Sequence, residues 1–153
     1  MVTSCGHDRA RLSDTLSRSS MSVDSGLADA VDWFVGEARA RGHEFQQPGS
    51  VREVVWVNSL STPHLIGECV RDKNQDGMPG VAGGRRVEIK RPAVPGELTA
   101  TLLKFAVAHE LGHCLDDRNH LAGGSFGIMQ TWLPTSGFAE SHLDGWLDQY
   151  FNQ

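Results

Sequence analysis

The sequence predicts an α+β domain over residues 26–153, and three observations point to it. The run from Leu98 to Leu115 carries residues at helical spacing on two stripes, Leu102, Ala106, His109 and His113 on one and Leu103, Val107, Leu111 and Cys114 on the other. Val51 to Asn58 is rich in β-branched residues and Arg86 to Arg91 alternates apolar with charged, both patterns of strands. Leu143, Trp146, Leu147 and Tyr150 recur at helical spacing near the end and read as core. With 153 residues, 39% hydrophobic and 22% charged, the chain has the composition of one globular domain with a core. A formal net charge of -5 offers no basic field for nucleic acid, and no apolar run has the length of a membrane span.

Taken in order, residues 1–25 hold seven serines and scattered charges, which predicts a flexible tail or short pro-segment. Ser25 is expected to cap a helix over residues 27–41, with Leu27, Val31, Phe34 and Ala38 as its apolar stripe and Gly42 as its stop. No clear strand precedes that helix. Residues 65–71 are a further strand candidate after Val51–Asn58. Asp72, Asn74 and Asp76, followed by Gly77, resemble the first half of a calcium loop. Gly83 stands where the bidentate Glu of such a loop belongs, so a polar turn is the first reading and Ca2+ the alternative. Four glycines and one proline make 77–84 a loop.

In Arg86–Arg91, Val87 and Ile89 face one way and Arg86, Glu88 and Lys90 the other, the pattern of a half-exposed edge strand. Pro92 and Pro95 punctuate before the long helix. Residues 116–120 are turn-prone, 121–129 are irregular around three glycines, and 134–137 form another turn. Ser141 is expected to cap the last helix. The three cysteines, Cys5, Cys69 and Cys114, leave at least one unpaired in a monomer. Two fates stay open for Cys114: a bond to Cys69 linking a strand to the long helix, or a small buried thiol.

Inside the long helix stands His109-Glu110-Leu111-Gly112-His113. Four residues make a little over one helical turn, so both imidazoles project from one face and can ligate one Zn2+. Glu110 sits beside the metal, where it can take a proton from a metal-bound water and pass it to a leaving amine. Burying a carboxylate and two histidines on an apolar helix is costly unless they are used. A catalytic site needs a third protein ligand, and Asp116, Asp117, His120, Glu140 and His142 are the residues downstream that could supply it. His120 lies across the helix end. A sharp turn at Asp117 or Asn119, residue types that tolerate left-handed backbone, would bring it back to the metal.

These residues resemble the metzincin clan of zinc endopeptidases, whose pattern His-Glu-x-x-His-x-x-Gly-x-x-His precedes a Met-containing turn beneath the metal. His109, Glu110, His113 and His120 are the matching residues, and Ser125 to Gln130, around Met129, resembles the Met-turn. Asp116 stands at the pattern's Gly and Asn119 at its last His, so His120 comes one residue late and the turn must hold an extra residue.

The resemblance implies a small zincin domain: a twisted, mostly parallel sheet with an edge strand, a backing helix, an active-site helix and a C-terminal helix. It implies a zinc-dependent endopeptidase with His109, His113 and His120 as ligands and Glu110 as general base, then general acid. A protein or peptide substrate would lie extended along an edge strand between residues 65 and 91, with 130–134 bordering the pocket. It favours secretion, although no signal peptide is visible in the sequence. The expected state is a monomer, with no nucleic-acid or membrane partner. The rival zinc reading is gluzincin-like, with Glu140 of Glu140-Ser141-His142-Leu143-Asp144 as third ligand. Two further alternatives are a zinc-stabilised binding module without turnover, and a latent enzyme in which Cys5-Gly6-His7-Asp8 fills the open metal position.

Overall fold

The computed structural model describes residues 21–71 and 84–153. The expectations for Cys5 to Asp8 and for calcium at Asp72, Asn74 and Asp76 lie outside the described residues. The elements run β1 (Ser22–Val23), a 3-10 turn (Ser25–Leu27), α1 (Ala28–Ala40), β2 (Val51–Val57), β3 (Gly67–Arg71), β4 (Arg85–Lys90), α2 (Ala100–Asp116) and α3 (Ser136–Phe151). The sheet order is β1-β2-β4-β3, with β1, β2 and β4 parallel and β3 antiparallel to β4 at the edge. The class is therefore α+β with a mixed sheet.

The domain begins earlier than the expected tail allows. Met21 is buried, and Ser22 and Val23 pair with Glu53 and Val54, so a short strand does precede the first helix. Asp24 closes that strand. Its N–H donates to Val54 O at 3.0 Å and its carboxylate accepts from Trp56 N at 2.8 Å. The cap expected from Ser25 is not made; the chain enters α1 through the 3-10 turn, without a side-chain cap. Leu27, Val31, Phe34 and Ala38 are buried as their spacing predicts. Phe34 packs its ring 5.5–5.9 Å from those of Phe45, Phe151 and Tyr150. Gly42, left-handed at φ 66°, follows the last turn, where a side chain would be strained.

β4 corrects the edge-strand expectation, because it lies between β2 and β3. Val87 and Ile89 face the core and are fully buried. The charged face is neutralised locally: Arg86 pairs with Glu88 and, at 3.3 Å, with Glu53. Alternation reports which face of a strand is polar; it carries no information on how many neighbours the strand has. α3 is the other correction. It starts at Ser136, after Thr135, five residues before the expected cap. Ser141 lies inside it and donates to the carbonyls of Gly137 and Phe138 at 3.1 Å each. A hydroxyl can bond back to the preceding turn as readily as it caps, so its type alone does not locate a helix start.

α2 is the central element, lying against β3, β4, α1 and α3. Thr99 caps it, its hydroxyl accepting from Leu102 N at 3.3 Å. Of the two fates open to Cys114, the structure shows the disulfide to Cys69, which ties α2 to β3 across 45 residues. Closing a loop of that length stabilises by about 4 kcal/mol in chain-entropy terms. At its other end α2 finishes on Asp116, which is buried and accepts from Gln46 N at 3.0 Å and Tyr150 OH at 2.7 Å, with His43 Nε2 at 2.8 Å. Burial, and then the Asp116 carboxylate, push the Tyr150 hydroxyl well above its ordinary range, so it stays a donor. Removing the shared acceptor strands three donors, two from the segment after α1 and one from α3. Asp116→Ala is expected to lower the unfolding free energy by about 3–5 kcal/mol in urea titrations, whereas Glu140→Ala, at an exposed position, should stay within about 0.5 kcal/mol.

Candidate metal centre

His109 and His113 lie one helical turn apart on the same side of α2. Asp117 then takes the left-handed conformation, at φ 50°, that the sequence assigned to Asp117 or Asn119. Its carboxylate pairs with Arg71 at 2.7 Å and Arg85 at 2.8 Å, which offsets the strain of a non-glycine residue there. The reversal brings His120 back over the helix. The three Nε2 atoms stand 3.2 Å (His109–His113), 3.2 Å (His109–His120) and 3.1 Å (His113–His120) apart.

Protons cannot satisfy this triangle. His109 Nδ1 lies 2.7 Å from the carbonyl of Ile128, and His113 Nδ1 lies 2.6 Å from that of Arg118. A carbonyl only accepts, so both Nδ1 atoms carry the hydrogen and both Nε2 atoms present lone pairs. Among three contacts, only His120 can then offer a proton in the neutral state. A cation at the centre satisfies all three nitrogens at once. Tetrahedral zinc, with Zn–N of about 2.0–2.1 Å, sets its nitrogens about 3.3–3.4 Å apart, close to the separations seen. The donor set therefore fits such an ion, and the three histidines form a group that could hold a metal. Burial holds His109 down at about 4, with His113 and His120 acting in the same direction and the Ile128 carbonyl opposing. Burial also lowers His113, against the Arg118 carbonyl. Both rings are neutral at pH 7, the form that ligates.

The segment expected to resemble a Met-turn supplies one of these carbonyls. Met129 is buried against α2 at Gly112, where an added Cβ would come within 2.7 Å of its sulfur. Leu121 N donates to Met129 O at 2.9 Å, and Gln130, also buried, accepts from Gly127 N at 3.1 Å and donates to Trp132 O at 2.9 Å. These bonds hold the Ile128 carbonyl on His109.

Glu110 is buried, its Oε1 4.0 Å from His109 Nε2. Burial, reinforced by Glu68, pushes its carboxyl up to about 8, while a hydrogen bond from the backbone N–H of Cys69 pulls the other way. Glu110, His109, His113 and His120 line a cleft of about 480 Å³. Gly67, Glu68, Cys69 and Arg71 of β3 line it too, as do Thr131, Trp132 and Leu133.

The other downstream residues do not join the group. Glu140 is exposed and accepts from Ser136 Oγ at 3.3 Å; His142 is exposed and stacks on Phe138, with centroids 4.1 Å apart. Asp116 and Asp117 are engaged with their own donors. Sequence reasoning missed Asp116 as an anchor and Gly67 as a contact of Glu110. A glycine inside a strand is itself a signal of close approach, and Gly67 carries it. Compared with protein-family models, with curated proteins and with solved structures, the chain matches none.

Two measurements follow from this geometry. By calorimetric zinc titration, His120→Ala should weaken binding by more than about 100-fold, whereas Glu140→Ala should leave it unchanged. In the metal-free protein the fold favours the neutral acid of Glu110. That contribution is whole below the unfolded value of 4.5 and is lost as pH rises through about 8. Metal-free Glu110→Gln should therefore melt above the wild type, by a margin that widens from pH 5 to pH 8.

Proposed function

We propose that this chain is a zinc-dependent endopeptidase. One observation carries the reading: three imidazole nitrogens converge within 3.2 Å on the floor of an open cleft, with a buried carboxyl 4.0 Å from one of them. His109, His113 and His120 would hold the ion. Three protein ligands facing a cleft favour a catalytic site over a structural one, which is usually closed by four. When bound, zinc supplies a Lewis acid to water and to a scissile carbonyl, and a positive charge that favours the ionised form of Glu110.

Glu110 takes the proton from the attacking water and later delivers it to the departing amine. The bonds that the Nδ1–H groups donate to the Ile128 and Arg118 carbonyls keep the two helix imidazoles in the tautomer that presents Nε2. β3 can receive an extended peptide. Lys90 N donates to Ile66 O at 2.8 Å, so Ile66, Glu68 and Val70 turn their backbone groups to β4. Gly67, Arg71 and the carbonyl of Cys69 then face the open edge, where a substrate strand would pair. Trp132 and Leu133, which line the same cleft, offer apolar surface to a side chain beside the cut bond. This arrangement supports the metzincin resemblance, with β3 as the edge strand. The Cys69–Cys114 bond supports an oxidising compartment, in keeping with an exported protein.

Casein digestion by the zinc-loaded protein tests the reading. Glu110→Gln should keep one zinc per chain and lose about 10²–10⁴-fold in kcat. A variant that still cut casein at the wild-type rate would remove Glu110 from the chemistry.

A further inference from the structure

α2 and β3 meet through two matched pairs of residues. Glu110 and Cys114 are four apart on the helix and share its strand-facing side. Gly67 and Cys69 are two apart on the strand and share its helix-facing side. Cys69 joins Cys114, and Gly67 lies against Glu110. On the reading of Glu110 as the base, we propose that Gly67 and Cys69 are positioning residues for its carboxyl group, with the Cys69–Cys114 disulfide as the clamp that keeps β3 in place.

Space is the first argument. A Cβ at Gly67 would stand 2.6 Å from Glu110 Cγ and 3.0 Å from its Oε1, with Ile89 Cδ1 also at 3.0 Å. Ile89 is fully buried, so the strand cannot yield in that direction and the carboxyl group would have to move. Hydrogen bonding is the second. The Cys69 N–H points away from β4 to the open edge of the sheet, on the cleft that Glu110 also lines, and Glu110 is its proposed acceptor. Anchorage is the third. Among the described residues β3 has a strand on one side only, and the disulfide fixes its distance from α2 one helical turn beyond Glu110.

The metal ligands keep contacts outside β3. His109 is held by Ile128, His113 by Arg118, and His120 follows the Asp117 turn, which Arg85 of β4 holds as well as Arg71 of β3. Loosening β3 therefore separates the base from the metal: the ion stays and turnover falls.

The test uses the full chain loaded with zinc, as wild type, Gly67→Ala and the double variant Cys69→Ala/Cys114→Ala. Assayed on a peptide spanning a bond the wild type cuts in casein, both variants should keep one zinc per chain. Each should lose about 100-fold in kcat, the scale of a misplacement near 1 Å. A folded, zinc-loaded Gly67→Ala protein with kcat within about twofold of wild type overturns the proposal. Backbone amide exchange by NMR provides a readout independent of activity. The Cys69 N–H should exchange slowly in the wild type and at least about tenfold faster in Glu110→Ala, while Glu68 and Val70, bonded to β4, keep their rates. Equal exchange at Cys69 in the two proteins also overturns it. If the wild type cleaves nothing, the endopeptidase reading fails by itself, and the amide measurement still decides whether Cys69 holds Glu110.

Discussion

The buried carboxylate of Asp116 is the contact on which the rest of the structure depends. It gathers the backbone of Gln46, the ring of His43 and the hydroxyl of Tyr150 onto the last residue of α2. Those groups come from the segment after α1 and from α3, so one acceptor joins three parts of the chain. With the helix end pinned there, Asp117 turns left-handed and is pinned in its turn by Arg71 and Arg85. His113 stands just before this reversal and His120 just after it. Their convergence is a consequence of how the helix is stopped.

Around that anchor the molecule accepts local costs for the sake of the cleft. Glu110 is a carboxyl group buried beside Glu68, in a setting that favours its neutral form. Two imidazoles present lone pairs to one another at 3.2 Å. Each group would be more comfortable in water. They are held instead by ordinary packing and hydrogen bonds: Gly67 and Gly112 where side chains would collide, carbonyls on the Nδ1 atoms, and a disulfide between strand and helix. Strained polar clusters of this kind, supported by an unstrained frame, are what a reactive site requires.

Much of the frame was legible from spacing. The stripe of α1, the inward faces of β2 and β4, and Leu143, Trp146, Leu147 and Tyr150 of α3 all lie buried or nearly so where their periods place them. Errors fell where one residue type serves two local structures or where a strand's neighbours matter. Ser25 and Ser141 resemble caps and are not. The charges of β4 resemble an exposed edge, yet they are paired between two strands. β1 is two residues long, too short for any pattern to reveal.

The sequence by itself determined that His109, Glu110 and His113 share one helix and that a left-handed residue could follow it, because both are properties of a few consecutive residues. Only the tertiary structure brought His120, and not Glu140, to the two helix imidazoles, and decided between a thiol and a disulfide at Cys114 and between an edge and an interior place for β4. Those outcomes rest on groups far apart along the chain, such as His43, Arg71, Arg85 and Tyr150, whose meeting is set by packing of the whole domain. Spacing fixes direction within one element, and convergence between elements requires their neighbours.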